Sequence, residues 1–268
     1  MKGEEIVDLI TRFVKSNPNN QIPERDGLKI FEEPQVAFAD GNDPMYEELK
    51  EKSVIGPHHR SPREWLEGAK GVISYFLPFS REIVESNEIE GLPSDEWYMA
   101  RYWGEEFNNL LRSHIVGAIE EAGHRAVAPV VAEGFETFFI TSNWSERHTA
   151  FIAGLGTFCL SYSLISEKGC AGRYGSVVTD IDLPASLRRA VGLMDNCLGD
   201  GNGACDVCIR RCPAGAITRE GKDHEKCRAF IIEKIESVYS ERHGYFAGGC
   251  GKCQTNAPCA RTNPRRGG

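Results

Sequence analysis

Hydrophobic positions along the chain fall into stripes and runs separated by polar turns. In residues 4–15, Ile6, Leu9, Ile10, Phe13 and Val14 recur at helical spacing and predict an amphipathic helix. Asn17 to Gly27 is turn-rich, and the acidic segment Asp40 to Lys52 predicts a surface helix after a loop. Ser61-Pro62-Arg63-Glu64 is a capping box with proline at the first helical position. The apolar run Gly71 to Leu77 predicts a buried strand. A long helix is predicted from Asp95 to Ala122, with Phe107, Leu110, Leu111, His114, Ile115 and Ala118 on one face and Gly123 ending it. Ala126 to Ala132 predicts the next strand, and Ser145 opens a helix through Ile152 that stops at Gly154-Leu155-Gly156. Leu160 to Ser166 and Tyr174 to Asp180 predict strands around a hairpin at Glu167-Lys168-Gly169. Lys226 to Ser240 predicts a last helix, striped by Cys227, Phe230, Ile231, Lys234, Ile235 and Val238. Helices and strands mix without a strict βαβ repeat, so the expected fold class is α+β.

The totals narrow the function classes. At 268 residues, 41% of them hydrophobic, the chain can build one large core or two smaller ones. No apolar run approaches the ~20 residues that span a membrane. The net charge of −8 is uneven: Lys and Arg number 12 against 9 Asp and Glu from Asp195 onward, and 19 against 30 before it. The acidic larger part is a poor electrostatic match for nucleic acid, although a local basic strip would suffice for binding. Met1-Lys2-Gly3-Glu4-Glu5 carries no apolar signal segment, which points to a cytoplasmic, reducing environment for the ten cysteines.

The cysteines carry the chemistry. Cys205-x2-Cys208-x3-Cys212-Pro213 is similar to the run with which bacterial-type ferredoxins hold 4Fe–4S clusters. Asn202 stands where the first cysteine of that run would be, and Cys197 can replace it across the Gly-rich loop 198–203. Cys250-x2-Cys253 and Cys259 come later, with Cys227 between the groups. The ferredoxin pairing rule predicts one cluster on Cys197, Cys205, Cys208 and Cys259, and a second on Cys212, Cys227, Cys250 and Cys253. Cys227 equally suits a plain core position, and Cys159 and Cys170 read as structural thiols. Zinc also binds Cys-x2-Cys pairs, so a structural zinc module is the alternative.

Together with Glu146-Arg147, Ala153-Gly154-Leu155-Gly156, and Arg173 to Asp180 ending in Val-Val-Thr-Asp, this pattern resembles the cobalamin-dependent epoxyqueuosine reductase and reductive dehalogenase superfamily over residues 65 to 260. The Tyr102 to Arg112 stretch resembles the family's Gly-x-Asp-Tyr-His helix more loosely. The resemblance implies a nitroreductase-like cobalamin-binding domain over 1–190 and a ferredoxin-like domain with two 4Fe–4S clusters over 191–268. Base-off cobalamin would lie between them, with Cys208 assigned to the nearer cluster and Cys212 to the farther one. Low-potential electrons would come from a ferredoxin or flavodoxin-type donor and reduce a small molecule or modified nucleoside. The implied corrin-binding residues are Glu146, Arg147, Gly154, Leu155, Gly156, Thr157 and Phe158. The implied proton donors are Tyr102, Tyr162 and Glu146, because Ile140 occupies the family's proton-donating Asp position. That replacement also motivates a different class, an electron-transfer or reductive-activation protein serving a separate corrinoid protein.

Overall fold

The computed structural model describes residues 1–189, 192–201 and 203–266. The boundary expected at residues 190 and 191, and the Asn202 position, lie outside the described residues. The first helix, Gly3–Ser16, buries Ile6, Ile10 and Val14. It packs beside the long helix Asp95–Glu121 in one core with Phe107, Leu111, Ile115 and Ile119. That helix is started by Ser94, whose Oγ accepts from the Trp97 amide at 3.1 Å, and by the acidic pair Asp95 and Glu96. Gly123, at φ +81°, ends it.

Among the described residues there are eight strands: β1 (Gln35–Asp40), β2 (Gly71–Pro78), β3 (Ala126–Val127), β4 (Thr137–Phe138), β5 (Thr141–Ser142), β6 (Gly156–Phe158), β7 (Leu164–Ser166) and β8 (Gly172–Thr179). The main sheet is antiparallel in the order β1-β2-β8-β3, with Ile73 opposite Val177. All eight residues of β2 are buried because both sheet faces are covered. Ile73, Tyr75 and Leu77 face the two long helices, while Val72 and Phe76 face Tyr46, Trp144 and Phe151.

Several elements differ from expectation for identifiable reasons. The segment 40–52 holds one helical turn, Met45–Glu48, with Tyr46 and Leu49 drawn into the core. Pro129 has no amide hydrogen for a ladder, so the third strand stops at Val127 and Pro129–Val131 forms a 3-10 turn. The expected 160–180 hairpin does not form: β7 pairs with β6, and β8 pairs with β2 and β3. Two glycines permit these pairings. A Cβ on Gly156 would sit 2.2 Å from the Ile165 carbonyl oxygen, and one on Gly172 would sit 2.2 Å from that of Leu77. On the long helix Leu110 is 46% exposed, while Asn108 and Arg112 are buried in its place. The last helical run passes from His224–Phe230 through a π-helical stretch, Ile231–Glu236, into Ser237–His243. The wide turn shifts the helix phase, so Ile235 and Tyr239 are buried and Val238 is exposed.

The cysteine-rich segment is bound into this framework. The amides of Cys170 and Ala171 donate to the carbonyls of Cys259 and Ala260, just before β8. Lys252, buried between Cys250 and Cys253, donates to Asn87 and Ile89 in the loop that precedes the long helix. No helix among the described residues is long and apolar enough to cross a membrane.

Candidate active site: an arginine-lined cleft beside the cysteines

A cleft of about 580 Å³ opens where the long helix, the start of the Glu146–Ile152 helix, β8 and the second cysteine loop meet. Its volume is that of a small-molecule or cofactor site. Arg101, Glu105 and Arg112 line it from the long helix, Glu146 and Arg147 from the short one, and Arg173 from β8. Cys227, Cys250, Cys253 and the glycines 248, 249 and 251 form the opposite wall.

The charged side chains form a partly closed network. Arg112 bridges the two carboxylates, with Nη1 2.7 Å from Glu105 Oε1 and Nη2 3.1 Å from Glu146 Oε1. Arg173 Nη1 lies 3.1 Å from Glu105 Oε2. Ser176 Oγ donates to Glu146 Oε2 at 2.5 Å. Burial would raise the Glu105 carboxyl, but the charges of Arg173 and Arg112 outweigh it and hold the group at about 2. Glu146 moves the other way: burial pushes it up despite Arg112. Burial and the neighbouring Arg173 lower Arg101 to about 9, which leaves it charged at neutral pH.

Arg101 and Arg147 have no carboxylate partner among the described residues. Arg101 Nη2 donates to the Gly248 carbonyl at 3.2 Å, and Arg147 Nη1 to that of Tyr162 at 2.6 Å. The Nε atoms of Arg101, Arg112 and Arg173 are buried without a partner.

Five of the other cysteines line a second, much smaller cavity of about 20 Å³. Cys197, Cys205, Cys208 and Cys259 line it, with Cys159 and apolar residues such as Leu160, Ile165 and Pro258 behind them. Burial, reinforced by the thiols of Cys253, Cys259, Cys197 and Cys205, pushes Cys208 up to about 12. Burial raises Cys253 as well; Lys222 opposes this, while Cys227 and Cys212 add to it. Cys212 and Cys227 therefore stand near Cys253, and Cys208 stands near both groups. Backbone amides point at two of the sulfurs: Gly199 N lies 3.4 Å from Cys197 Sγ, and Ala216 N lies 3.3 Å from Cys212 Sγ. Among the described residues, no three His, Cys, Asp or Glu side chains are gathered closely enough to hold a single metal ion as placed.

Of the expected corrin-binding residues, Glu146 and Arg147 line the cleft, whereas Gly154, Leu155, Gly156, Thr157 and Phe158 do not. Among those five, Thr157 Oγ1 accepts from the Asn196 amide, Gly156 lies against Ile165, and the Phe158 ring packs against His148 and Phe151. Of the expected proton donors, only Glu146 reaches the cleft wall. Tyr102 stacks on Tyr245 at 3.9 Å, and Tyr162 stacks on His224 at 5.3 Å. The two expected cysteine sets fall on different cavities. The group containing Cys227, Cys250 and Cys253 borders the cleft, and the group containing Cys208 lies around the other cavity. His59 is buried against Trp144 with both ring nitrogens unpartnered.

Sequence reasoning missed Arg101, Glu105, Arg112 and Arg173 as site residues. The available signal was an ionic stripe at positions 101, 105 and 112, spaced to share one face of a helix whose other stripe is apolar.

A search of family models found no match. The epoxyqueuosine reductase of Bacillus anthracis is 24% identical over 203 residues, covering 74% of this chain and 50% of that protein. The chain spans about half the length of the curated relatives it matches. The catabolic reductive dehalogenase NpRdhA superposes with a TM-score of 0.58 at 17% identity, over 87% of this chain and 31% of that one. The epoxyqueuosine reductase of Bacillus subtilis gives 0.52 at 16%, over 97% and 66%. The architecture is thus an α+β fold of the kind found in these reductases, closed by a cysteine-rich segment. Over about three quarters of its length the chain is thus a distant relative, at 24–28% identity, of epoxyqueuosine reductases, and it shares its fold with a reductive dehalogenase.

Proposed function

We propose that this protein is an iron–sulfur and cobalamin-dependent reductase in which the 580 Å³ cleft is the reducing site. The observation that carries the reading is the position of Cys227, Cys250 and Cys253 in the wall of the cleft. A cluster on these residues and Cys212 would lie beside any bound corrin. A cluster on Cys197, Cys205, Cys208 and Cys259 would stand behind it. Four thiols spread around one cavity, with the Gly199 amide aimed at the Cys197 sulfur, suit a multi-iron cluster. One solved relative is described as carrying out B12-dependent dehalogenation, which supports cobalamin as the cofactor.

Glu146, Arg147 and Gln254 would hold the corrin's polar rim, and the corrin would supply a strongly reducing cobalt centre. The chain's own residues do the rest. Glu146, raised by burial, is the cleft carboxyl suited to retaining a proton. The Arg112 bridge fixes its orientation, and the Lys252 anchor fixes the second cysteine loop against the long-helix side. A nitroreductase-like part over 1–190 and a ferredoxin-like part over 191–268, supplied by a ferredoxin or flavodoxin-type donor in the cytoplasm, complete the reading.

The test is an iron and sulfide assay on anaerobically purified protein, with optical spectra before and after cobalamin is added. About eight irons per chain and a base-off spectrum are expected. Stoichiometric zinc without iron overturns the reading. One observation favours the second reading, an electron-transfer protein for a separate corrinoid partner. Ile140 is 49% exposed at the β4–β5 hairpin and brings no acid to the position of the family's Asp. That reading predicts eight irons, reduction of a partner's cobalt and no cobalamin response of its own.

A further inference from the structure

The cleft carries more positive charge than its own carboxylates can neutralise. Four arginines, Arg101, Arg112, Arg147 and Arg173, face two glutamates, and Arg112 and Arg173 already take up both glutamates. Arg101 and Arg147 are left with a single carbonyl each, and the buried Nε atoms of Arg101 and Arg173 have no acceptor. Leaving the half-buried Arg101 guanidinium unpaired is costly, and an oxyanion that accepts two parallel N–H bonds is the chemistry that offsets the cost.

Two local features fix these side chains in the cleft wall. The Arg173 guanidinium donates to the Arg101 main-chain carbonyl, which ties the Arg173 side chain to the long helix at Arg101. Across from them, a Cβ on Gly249 would lie 2.5 Å from Arg101 Nε, so the backbone there approaches the guanidinium where no side chain fits. A cluster on the adjacent cysteines would itself be anionic and would absorb part of the surplus. Lys222 in the cleft wall and the buried Lys252 already stand beside those cysteines to meet that charge.

We infer that Arg101, Arg147 and Arg173 form a binding site for an oxyanion, a carboxylate or phosphate group, carried into the cleft by its ligand. The inference deepens, and in that sense rests on, the reading of this cleft as the reducing site. It assigns the substrate class as anionic, or else assigns the corrin's own phosphate to these arginines.

The experiment uses anaerobically reconstituted, cluster-loaded protein without cobalamin and measures binding of benzoate, inorganic phosphate and neutral benzamide by calorimetry. Benzoate or phosphate should bind, and benzamide should not. Arg101→Gln and Arg147→Gln should each weaken the anion by about tenfold or more, and Arg147→Lys should restore part of the loss. A second arm compares cobalamin with cobinamide, which lacks the nucleotide phosphate. If the Gln variants weaken cobalamin but not cobinamide, and cobalamin displaces benzoate, the oxyanion is the corrin's. If benzoate binds alongside cobalamin, the oxyanion is the substrate's.

The inference is overturned if neither anion binds, if benzamide binds as well as benzoate, or if the variants bind anions like the parent and only shift a cluster midpoint potential. Anion binding in a protein that ignores cobalamin would sink the cobalamin reading and leave this site standing, so the two failures are distinguishable.

Discussion

The Sγ of Cys170 lies 3.9 Å from the Sγ of Cys259, and the Cys170 amide donates to the Cys259 carbonyl at 2.9 Å. The thiol hydrogen bond between them is the leading influence on both sulfurs. It holds Cys259 below the usual thiol range and Cys170 above it. Cys170 is thus placed as a donor to the sulfur of Cys259, a proposed cluster ligand. Cys170→Ala should leave the iron content unchanged and move the midpoint potential of one cluster to a more negative value, because hydrogen bonds to the sulfurs help set that potential. A redox titration followed by electron paramagnetic resonance reads the shift. Loss of four irons instead would make Cys170 itself the ligand.

The two cysteine groups should be separable by mutation. Cys253→Ala should lower the iron content by about half, from two cubanes to one, and should weaken cobalamin binding, because Cys253 borders the cleft. Cys208→Ala should lose the same amount of iron and leave cobalamin binding intact, because Cys208 lines the other cavity. Identical spectra for the two variants would defeat the division into two sets.

Glu105→Gln removes the shared partner of Arg112 and Arg173. Breaking one side of a buried ion pair typically costs about 3–5 kcal/mol. Arg173 keeps 16% side-chain exposure, so a loss of about 2–3 kcal/mol is expected after solvent screening. Chemical denaturation of the cluster-loaded protein measures it, and a change below about 0.5 kcal/mol would show that the network is not stabilising.

His59 gives a pH dependence. Burial, aided by the charge of Lys50, lowers it from the usual 6.5 to about 4. Between those values the unfolded chain binds a proton that the folded chain excludes, so stability rises with pH and is lost as pH falls below about 6.5. From pH 7 to pH 5 the loss attributable to this group is about 1–2 kcal/mol. His59→Phe, which keeps a ring beside Trp144, should flatten that limb of the stability curve.

The periodic parts of the fold were legible in the sequence. The Ile6, Ile10 and Val14 stripe, the Gly71 run and the Ser94-to-Gly123 helix arise from local pattern and caps, which do not depend on distant partners. The misreadings share a cause, because strand partners and helix phase are decided by contacts far away in the chain. Leu160 to Ser166 looks like half of a hairpin with Tyr174 to Asp180, yet its neighbour in space is β6, which precedes it. Val238 keeps the stripe of a regular helix, but the π-helical stretch turns it outward. The cysteines were legible because their spacing is local. The arginine network was not, because Arg101, Arg112, Arg147 and Arg173 meet only after three elements come together. The Gly154-Leu155-Gly156 turn, singled out for a ligand, does not line the cleft, and its Gly156 opens β6 against Ser166 of β7.

The order of the cysteines along the chain differs from their order in space. Cys197, Cys205 and Cys208 share a cavity with Cys259, and the second group's Cys250 and Cys253 lie in sequence between them. The two groups are interleaved, so no single cut between Cys197 and Cys259 leaves the first group whole on one fragment. The pairing of Cys259 and Ala260 with Cys170 and Ala171 ties the far end of this interleaved stretch to the sheet that carries Arg173. If the two groups hold clusters as proposed, filling one fixes the chain ends that enclose the other, and shortens the loop the second must close. With all ligands present, loading and loss of metal should be cooperative, and the cleft should lose its cysteine wall as the metal leaves.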